Sequence, residues 1–422
     1  MYGLRQLNLV VLVGLSAIAG LAIWQIAPGG VGFSTSTVVN NVRWNQEPED
    51  EPKAIDDQYV LDETRFAAMS EGELRLELDK QLGEWRLQHS RVGQAIMQFH
   101  SDKEVNASQW VAQFRDAKRR GEAARKTAGH VATHLLEKMT GPPDKDLADL
   151  AFNSIDAYFV FHEYRKAYRM AKALVERGHE RPYLLPLYGY AAYCVNEFTE
   201  ARAVLSEAKV LGESLTDEHE AAFNYCQKYR TIMETERAAL AMDQESELPQ
   251  IEFQTSKGKI VVELFEDQAP NTVNNMVFLV EQGFFQNRQF YETNDSMLVT
   301  GSPTNDAMGQ VNYYINSEHD RPERRPHLRG YLTMLVDVES AVASSQFAFI
   351  TRPRPDLDQN LNTVFGRVIE GDVLLDHIER AGKDWEKLIT APDSMIGEPD
   401  QILSARVIRK RAKEYVPKLV DQ

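Results

Sequence analysis

The alternation of apolar and polar residues is clearest in residues 258–285, GKIVVELFEDQAPNTVNNMVFLVEQGFF. The opening run alternates as a half-buried β-strand does. Pro270 ends that run, and Thr272 can cap an amphipathic helix over residues 273–282. Gly283 then supplies the left-handed residue with which many helices end. This pattern predicts a strand, a helix and a closing turn, in that order.

A helical periodicity covers residues 61–139, which contain few prolines and no strand signal. Apolar residues recur there at helical spacing and form a stripe that must face another element. We interpret the stripe as helix packing rather than as a cofactor site. Its members are Leu74, Leu78, Leu82 and Trp85.

Two later segments repeat each other at a spacing of 34 residues. HEYRKAYRMAKALVERG begins at His162, and NEFTEARAVLSEAKVLG begins at Asn196, which aligns Tyr164 with Phe198. A spacing of 34 is the tetratricopeptide period, so the segments resemble that repeat family. Small residues such as Gly189 stand where that family needs close approach of paired helices.

Only two copies of the repeat are legible, whereas three are usually needed for a stable array. Residues 218–241 are therefore predicted to form a capping helix, and the helices of residues 61–139 to extend the stack. Tetratricopeptide arrays bind protein segments in their concave face, but their helices can equally form a spacer. The sequence leaves both roles open.

The longest uncharged apolar run, residues 7–27, is long enough to cross a bilayer as a helix. Arg5 precedes it and an acidic stretch follows, which places the bulk of the chain outside the cytoplasm, on the periplasmic side in a bacterium. A cleaved signal peptide with the small residues Ala17 and Ala19 is the alternative, but the run extends well past that site. We therefore expect a membrane-anchored chain.

The composition narrows the class of protein. The 422 residues suffice for two folded units, and a net charge of −16 argues against a nucleic-acid-binding protein. The basic residues 118–120 are read as an exposed helix face rather than as a site for acidic lipid or a partner. Cys194 and Cys226 can bridge two helices or be buried small hydrophobes, and we favour burial. The ten histidines show no metal-ligand spacing, so we expect no metal and no cofactor.

Three segments together resemble the cyclophilin family: residues 258–285, SSQFAFI at 344–350 and TVFGRVIEG at 363–371. The resemblance runs from about Ile251 to Arg411. It implies an eight-stranded antiparallel β-barrel with flanking helices that binds peptides across prolines and speeds their cis/trans exchange.

The predicted fold is therefore multidomain: an N-terminal transmembrane helix, an all-α tetratricopeptide-like region and a C-terminal cyclophilin-like barrel. The predicted bounds are 1–28 for the transmembrane anchor, 29–60 for a flexible tether, 61–243 for the helical region, 250–411 for the barrel and 412–422 for a tail.

One departure from the cyclophilin pattern affects the chemistry. The family's next strand reads Phe-His-Arg, whereas this chain has Phe290, Tyr291 and Glu292. The barrier to X-Pro rotation, about 20 kcal/mol, comes from amide resonance, and a guanidinium that donates to the prolyl nitrogen weakens this resonance. An ionised glutamate only accepts hydrogen bonds. The resemblance therefore implies that the catalytic arginine is lost.

Other pocket positions follow from the same resemblance. Met297 and Leu298 replace the apolar floor, although only one of two adjacent strand residues can face the pocket. Gln346 keeps the glutamine that holds the peptide backbone, but it can equally satisfy groups of the barrel. Ala348 replaces a pocket aromatic, and Leu357 matches the family. A distant guanidinium can still reach the pocket; the candidates are Arg329 and Arg352, with Arg288 a poor one.

Two functional classes remain. One is an active peptidyl-prolyl isomerase that assists protein folding. The other is a cyclophilin-like binding or scaffold protein with weak or lost isomerase activity, and a third reading makes the barrel a folded spacer. The expected partners are protein or peptide segments, including those with proline, together with the membrane through the N-terminal helix, and not nucleic acid.

Overall fold

A computed structural model describes residues 58–101, 103–293, 295–306, 309–337, 339–378 and 399–420. Helices fill the first part of this range. They are α1 (Gln58–Ala68), α2 (Glu71–Ser101), α3 (Lys103–Lys138), α4 (Lys145–Val160), α5 (Tyr164–Glu176), α6 (Leu184–Cys194), α7 (Phe198–Val210) and α8 (Asp217–Glu245).

Helices α2 and α3 pair along their lengths as a long hairpin. The predicted apolar stripe of α2 is buried at its start, where Leu74 and Leu78 join a core with α3, and becomes more exposed towards Trp85, which is 36% exposed. The stripe therefore packs against helices, as its spacing predicts.

The 34-residue repeat is visible in the backbone. Helices α5 and α7 both have 13 residues, and their first residues, Tyr164 and Phe198, are 34 positions apart. His162 and Asn196, two residues before each helix, both have positive φ. These features fit a repeated helical unit, but its assignment to the tetratricopeptide family stays a prediction.

Strands fill the second part of the chain. They are β1 (Gln250–Thr255), β2 (Gly258–Leu264), β3 (Arg288–Gln289), β4 (Glu292–Thr293), β5 (Met297–Thr300), β6 (Ile315–Asn316), β7 (Tyr331–Asp337), β8 (Val342–Ile350), β9 (Thr363–Glu370) and β10 (Gln401–Arg409). They form one antiparallel sheet in the order β3-β10-β1-β2-β9-β7-β8-β5-β4, with β6 on β8. Ten described strands, several of two residues, thus replace the eight that were expected.

Helix α9 (Pro270–Glu281) follows β2 as the sequence predicts. Pro270 occupies its first turn, and Gly283 takes the left-handed conformation just after it. Thr272 is not the cap, because the helix begins after Ala269 and the Thr272 hydroxyl donates to Glu318 instead. The core of the barrel is apolar and rich in phenylalanine, with Phe253, Phe347 and Phe349 fully buried.

No described helix is long and apolar enough to span a bilayer. This finding contradicts the transmembrane helix of the predicted fold class and the predicted location, anchored in a membrane with the bulk outside the cytoplasm, and both predictions are corrected. They relied on the length of one apolar run, residues 7–27, which lies outside the described residues. The described helices are instead amphipathic or bury short apolar faces in the two cores.

The helical region packs directly on the barrel. A shared core contains Tyr229 of α8 and Tyr331 of β7. Arg325, which is 5% exposed, forms ion pairs of 2.7 Å with Glu236 and with Asp243 of α8. Buried charges of this kind must be paired, so the interface is fixed in one arrangement.

Further polar contacts cross the same interface. The Tyr164 hydroxyl donates to the Asp295 carbonyl at 2.6 Å, and the Asn196 side chain bonds both backbone groups of Arg329. Cys194 and Cys226 lie on the helical side, both buried and not bonded to each other. The two hydrogen-bonded contacts join α5 and the turn between α6 and α7 to the barrel segments that follow β4 and precede β7.

Candidate functional site

The register of three strands locates the predicted pocket. Glu292 of β4 pairs with Val299 of β5, which pairs with Ala348 of β8. Ala348 also pairs with Thr333 of β7, so positions 292, 299, 348 and 333 form one row across the sheet. Residues directly opposite in an antiparallel sheet lie on the same face. Position 292 is therefore in the row that contains Ala348, and the role of either residue in a peptide pocket stays a prediction.

The neighbouring row faces the barrel interior. Leu298 pairs with Phe349, which pairs with Leu332, and all three are fully buried in the core. Met297 precedes Leu298 and is half-buried. Of the two predicted floor residues, Met297 is thus the one with accessible surface, and Leu298 packs inside the barrel.

A buried polar network covers part of the outer row. The ring of His327, 2% exposed, lies 3.0 Å from the Thr333 hydroxyl and 2.9 Å from an Asp358 carboxylate oxygen. The backbone N–H of His327 donates to the same oxygen at 2.8 Å, and the Tyr229 hydroxyl of α8 donates to the other at 3.3 Å. Asp358 lies in the short 3₁₀ helix Leu357–Gln359. The network therefore holds Leu357 beside the sheet and links it to the helical region.

The sequence patterns did not predict this network, because its members come from three distant parts of the chain. The one local signal was His327, a histidine in the strand-like segment HLRGYLTM. Leu357 itself is 6% exposed, and Ala348 is fully buried. The predicted pocket is consequently largely enclosed where these two residues lie.

The amide of Gln346 is held by the barrel. The Tyr291 hydroxyl donates to Gln346 Oε1 at 2.6 Å, and Gln346 Nε2 donates to the Gly309 carbonyl. Tyr291 occupies the position where the resemblance expects histidine. The structural role of Gln346 is thus visible, and a contact between Gln346 and a peptide stays a prediction.

The arginines considered as replacements for the missing guanidinium are engaged elsewhere. Arg288 donates to the carbonyls of Phe284 and Pro303. Arg329 is buried and pairs with Asp376 at 2.8 Å; burial alone lowers its pKa, but the carboxylates of Asp376 and Asp372 raise the pKa above its ordinary value.

Arg352 pairs with the carboxylate of Asp295. The Asp295 pKa is lowered: burial acts to raise it, but the hydrogen bond and charge of Arg352 outweigh that effect. None of these three guanidiniums is therefore offered to the row that contains Ala348.

A fourth arginine lies closer to the pocket. Arg354 Nη1 donates to the Ser296 hydroxyl at 2.8 Å, and its Nε and Nη2 form a two-point contact with Asp356 at 2.8 and 2.6 Å. This contact lowers the pKa of Asp356, the residue at the tryptophan position of the family pattern. Arg354 thereby ties the start of β5 to the segment before Leu357.

The described residues contain no group of three or more histidine, cysteine, aspartate or glutamate side chains arranged to hold a metal ion. The polar groups at the pocket instead contact one another. At this row the described side chains give a half-buried surface at Met297 and a fixed amide at Gln346. Arg288, Arg329 and Arg352 are each bound to other groups.

Comparison with known proteins identifies the C-terminal part. A family model described as cyclophilin type peptidyl-prolyl cis-trans isomerase/CLD matches residues 250–407. The peptidyl-prolyl cis-trans isomerase ppi1 of Schizosaccharomyces pombe is 32% identical over 123 residues, which cover 29% of this chain and 79% of that protein. A peptidyl-prolyl cis-trans isomerase of Synechococcus elongatus is 32% identical over 123 residues, 29% of this chain and 81% of the relative.

Other matches are partial. Peptidyl-prolyl cis-trans isomerase-like 2 of Cryptococcus neoformans is 30% identical over 171 residues, 38% of this chain, and the chain spans only 30% of that relative's length. Among solved structures, a cyclophilin type isomerase of Cryptosporidium parvum is 21% identical with a TM-score of 0.32, covering 39% of this chain and 99% of that one. The shared region is in every case about the size of the barrel.

Proposed function

Because the chain belongs to the cyclophilin-type peptidyl-prolyl cis-trans isomerase family, we propose that its barrel binds extended protein segments containing proline and catalyses their isomerisation weakly or not at all. Family membership supports proline-containing segments as the ligands. The glutamate at the expected arginine position supports weak isomerase activity. The protein then acts by binding peptides or by assisting folding, with the helical region as a rigid support.

The observation that carries this proposal is the identity of residue 292. A glutamate stands where the resemblance expects the catalytic arginine, and it pairs in register with Val299. Removing one donor that stabilises developing charge typically costs a factor of about 10²–10³ in rate. Arg288, Arg329 and Arg352 are engaged elsewhere, so none of these three guanidiniums makes good this loss.

Four residues are the proposed peptide contacts. Met297 and Gln346 are half-buried and present surface to a ligand, while the buried Ala348 and Leu357 form the enclosed part of the proposed proline pocket. Leu298 contributes from the core, by supporting the strand that carries Met297.

An active isomerase is the alternative, and one observation favours it. Arg354 bonds Ser296, the residue immediately before Met297, so a guanidinium lies near the pocket. Activity by this route requires Arg354 to leave its two-point contact with Asp356. A purely structural scaffold is the third candidate, supported by the extensive interface between the barrel and the helices.

Peptide binding by the full-length chain tests the proposal. A fluorescent peptide with one central proline is titrated beside the same peptide with alanine in that position. We expect preferential binding of the proline peptide, and a loss of about five- to tenfold in affinity for Met297→Ala, because less apolar surface is buried.

Met97→Ala is the matched control, since Met97 lies on α2 with 67% of its surface exposed. Its affinity should equal that of the native chain. Binding of neither peptide would reject the proposal in favour of a scaffold.

A further inference from the structure

A cleft of about 510 Å³ lies between the helical region and the barrel. Helices α6 and α8 form one wall, and the segments after β4 and β8 form the other. Its lining residues include Tyr190, Tyr193, Tyr225, Glu218, Pro353 and Pro355. This volume is within the range of sites that bind small ligands or short peptide segments.

The helical wall is aromatic. The rings of Tyr190 and Tyr193 stack with centroids 6.2 Å apart and an interplanar angle of 19°. Both rings are mostly buried, whereas Tyr225 is 38% exposed and stands at the edge of the cleft. Pro353 and Pro355 supply an apolar surface on the barrel side. Aromatic faces attract a cationic side chain, especially where water is partly excluded.

The charges of the cleft favour a cation. Its lining contains three carboxylates, those of Glu218, Asp295 and Asp356, but only two guanidiniums. Arg352 is paired with Asp295, and Arg354 with Asp356. Glu218 is exposed and has no ion pair with a described residue, so its charge is available to a ligand.

We propose that this tyrosine cleft, formed by Tyr190, Tyr193 and Tyr225 opposite Pro353 and Pro355, binds a lysine or arginine side chain of the same peptide whose proline occupies the barrel pocket. The inference rests on the proposed function and adds a sequence preference to it. The cationic group lies against a tyrosine face and pairs with Glu218, while the apolar part of the side chain covers the prolines.

The cleft and the predicted pocket are adjacent. Asp356 lines the cleft, and the next residue, Leu357, belongs to the pocket. Ser296 likewise lines the cleft immediately before Met297. An extended peptide advances about 3.3 Å per residue, so a basic residue within a few positions of the proline reaches the cleft. One bound segment can therefore occupy both sites.

Titration of the full-length chain with three sets of fluorescent proline peptides tests the inference. The first set carries lysine, the second norleucine and the third glutamate. Within each set, the residue is placed in turn at each of the three positions before the proline and the three positions after it. At one or more positions we expect the lysine peptide to bind about tenfold tighter than the norleucine peptide, from a cation–π contact and one partly exposed ion pair. The preference should shrink at about 1 M salt, where screening is strong.

Variants then assign the preference to the cleft. Glu218→Gln and Tyr225→Ala should each reduce it to about threefold or less, while Tyr225→Phe, which keeps the aromatic face, should retain most of it. Glu220→Gln is the matched control, because Glu220 lies on the same helix but pairs with Lys209. That variant should keep the full preference.

The outcomes separate the two proposals. Equal binding of the lysine and norleucine peptides, a preference for glutamate, or a lysine preference that survives both Glu218→Gln and Tyr225→Ala would overturn the tyrosine cleft and leave proline-peptide binding intact. Failure of every peptide to bind would overturn both.

Discussion

The hydroxyl of Tyr291 donates a 2.6 Å hydrogen bond to Oε1 of Gln346, joining the segment between β3 and β4 to the middle of β8. Tyr291 stands immediately before Glu292, where the family pattern has its histidine and arginine. The two replacements have different consequences. Tyr291 fixes the amide of Gln346, the residue that we propose contacts the ligand, and Glu292 is the basis of the proposed weak activity.

Removing the hydroxyl tests the first of these consequences. Tyr291→Phe should lower the free energy of unfolding by about 1 kcal/mol, the usual net contribution of one hydrogen bond. Urea denaturation measures the change. Tyr314→Phe, on a nearby half-buried tyrosine with no hydroxyl bond to a described residue, is the control and should change stability little. Equal effects of the two substitutions would contradict the assigned role of Tyr291.

The ion pairs of Arg325 predict a large cost at the domain interface. Arg325→Met leaves the carboxylates of Glu236 and Asp243 buried without their cation, and such changes cost about 3–5 kcal/mol. Arg324→Met removes an adjacent, exposed arginine and should be nearly neutral. Denaturant unfolding followed by tyrosine and tryptophan fluorescence compares the two. Similar midpoints for both variants would show that the interface does not depend on these pairs.

His219 predicts a pH dependence of stability. Burial lowers its pKa from 6.5 to about 4 in the folded chain. Below pH 6.5 the unfolded chain binds a proton that the folded chain does not, so stability falls as the pH falls from 6.5 to about 4, by up to about 3 kcal/mol.

His219→Gln isolates this contribution, because glutamine at the same position of the α8 cap can also accept the Thr216 N–H. The variant should lose less stability between pH 6.5 and 4 than the native chain does. Parallel stability curves would refute the prediction.

Two glycines in helices should respond in opposite directions to alanine. A Cβ at Gly189 of α6 would lie 2.5 Å from Cγ of Leu205, so Gly189→Ala should destabilise the chain by about 1–3 kcal/mol. A Cβ at Gly83 of α2 meets nothing within 4 Å, and Gly83→Ala should stabilise by up to about 1 kcal/mol. Thermal unfolding compares them; a neutral Gly189→Ala would contradict the close approach of α6 and α7.

Short sequence patterns predicted the helix ends and the repeated helices, because these depend on residues close together in the chain. The break at Pro270 and the left-handed Gly283 bounded α9 to within a few residues, and the 34-residue spacing located α5 and α7. The cyclophilin pattern also located the barrel, because the family model matches residues 250–407. These features depend on residues that are close in sequence or fixed by strand pairing.

The remainder depended on long-range contacts. Asp358 contacts His327, 31 residues away in the sequence, and Tyr229, 129 residues away. The periodicity of apolar residues does not predict contacts of this kind. The tyrosine cleft joins two regions that the sequence treated as separate domains. The membrane prediction used only the length of one apolar run.

The isomerisation rate of a proline-containing peptide, measured with the full-length chain, tests the central claim most directly. We expect weak or no acceleration, and Glu292→Arg alone should not restore full activity, because Ala348 and Asp356 still differ from the family pattern. Robust turnover by the unmodified chain would contradict the claim that residue 292 has removed the catalytic cation.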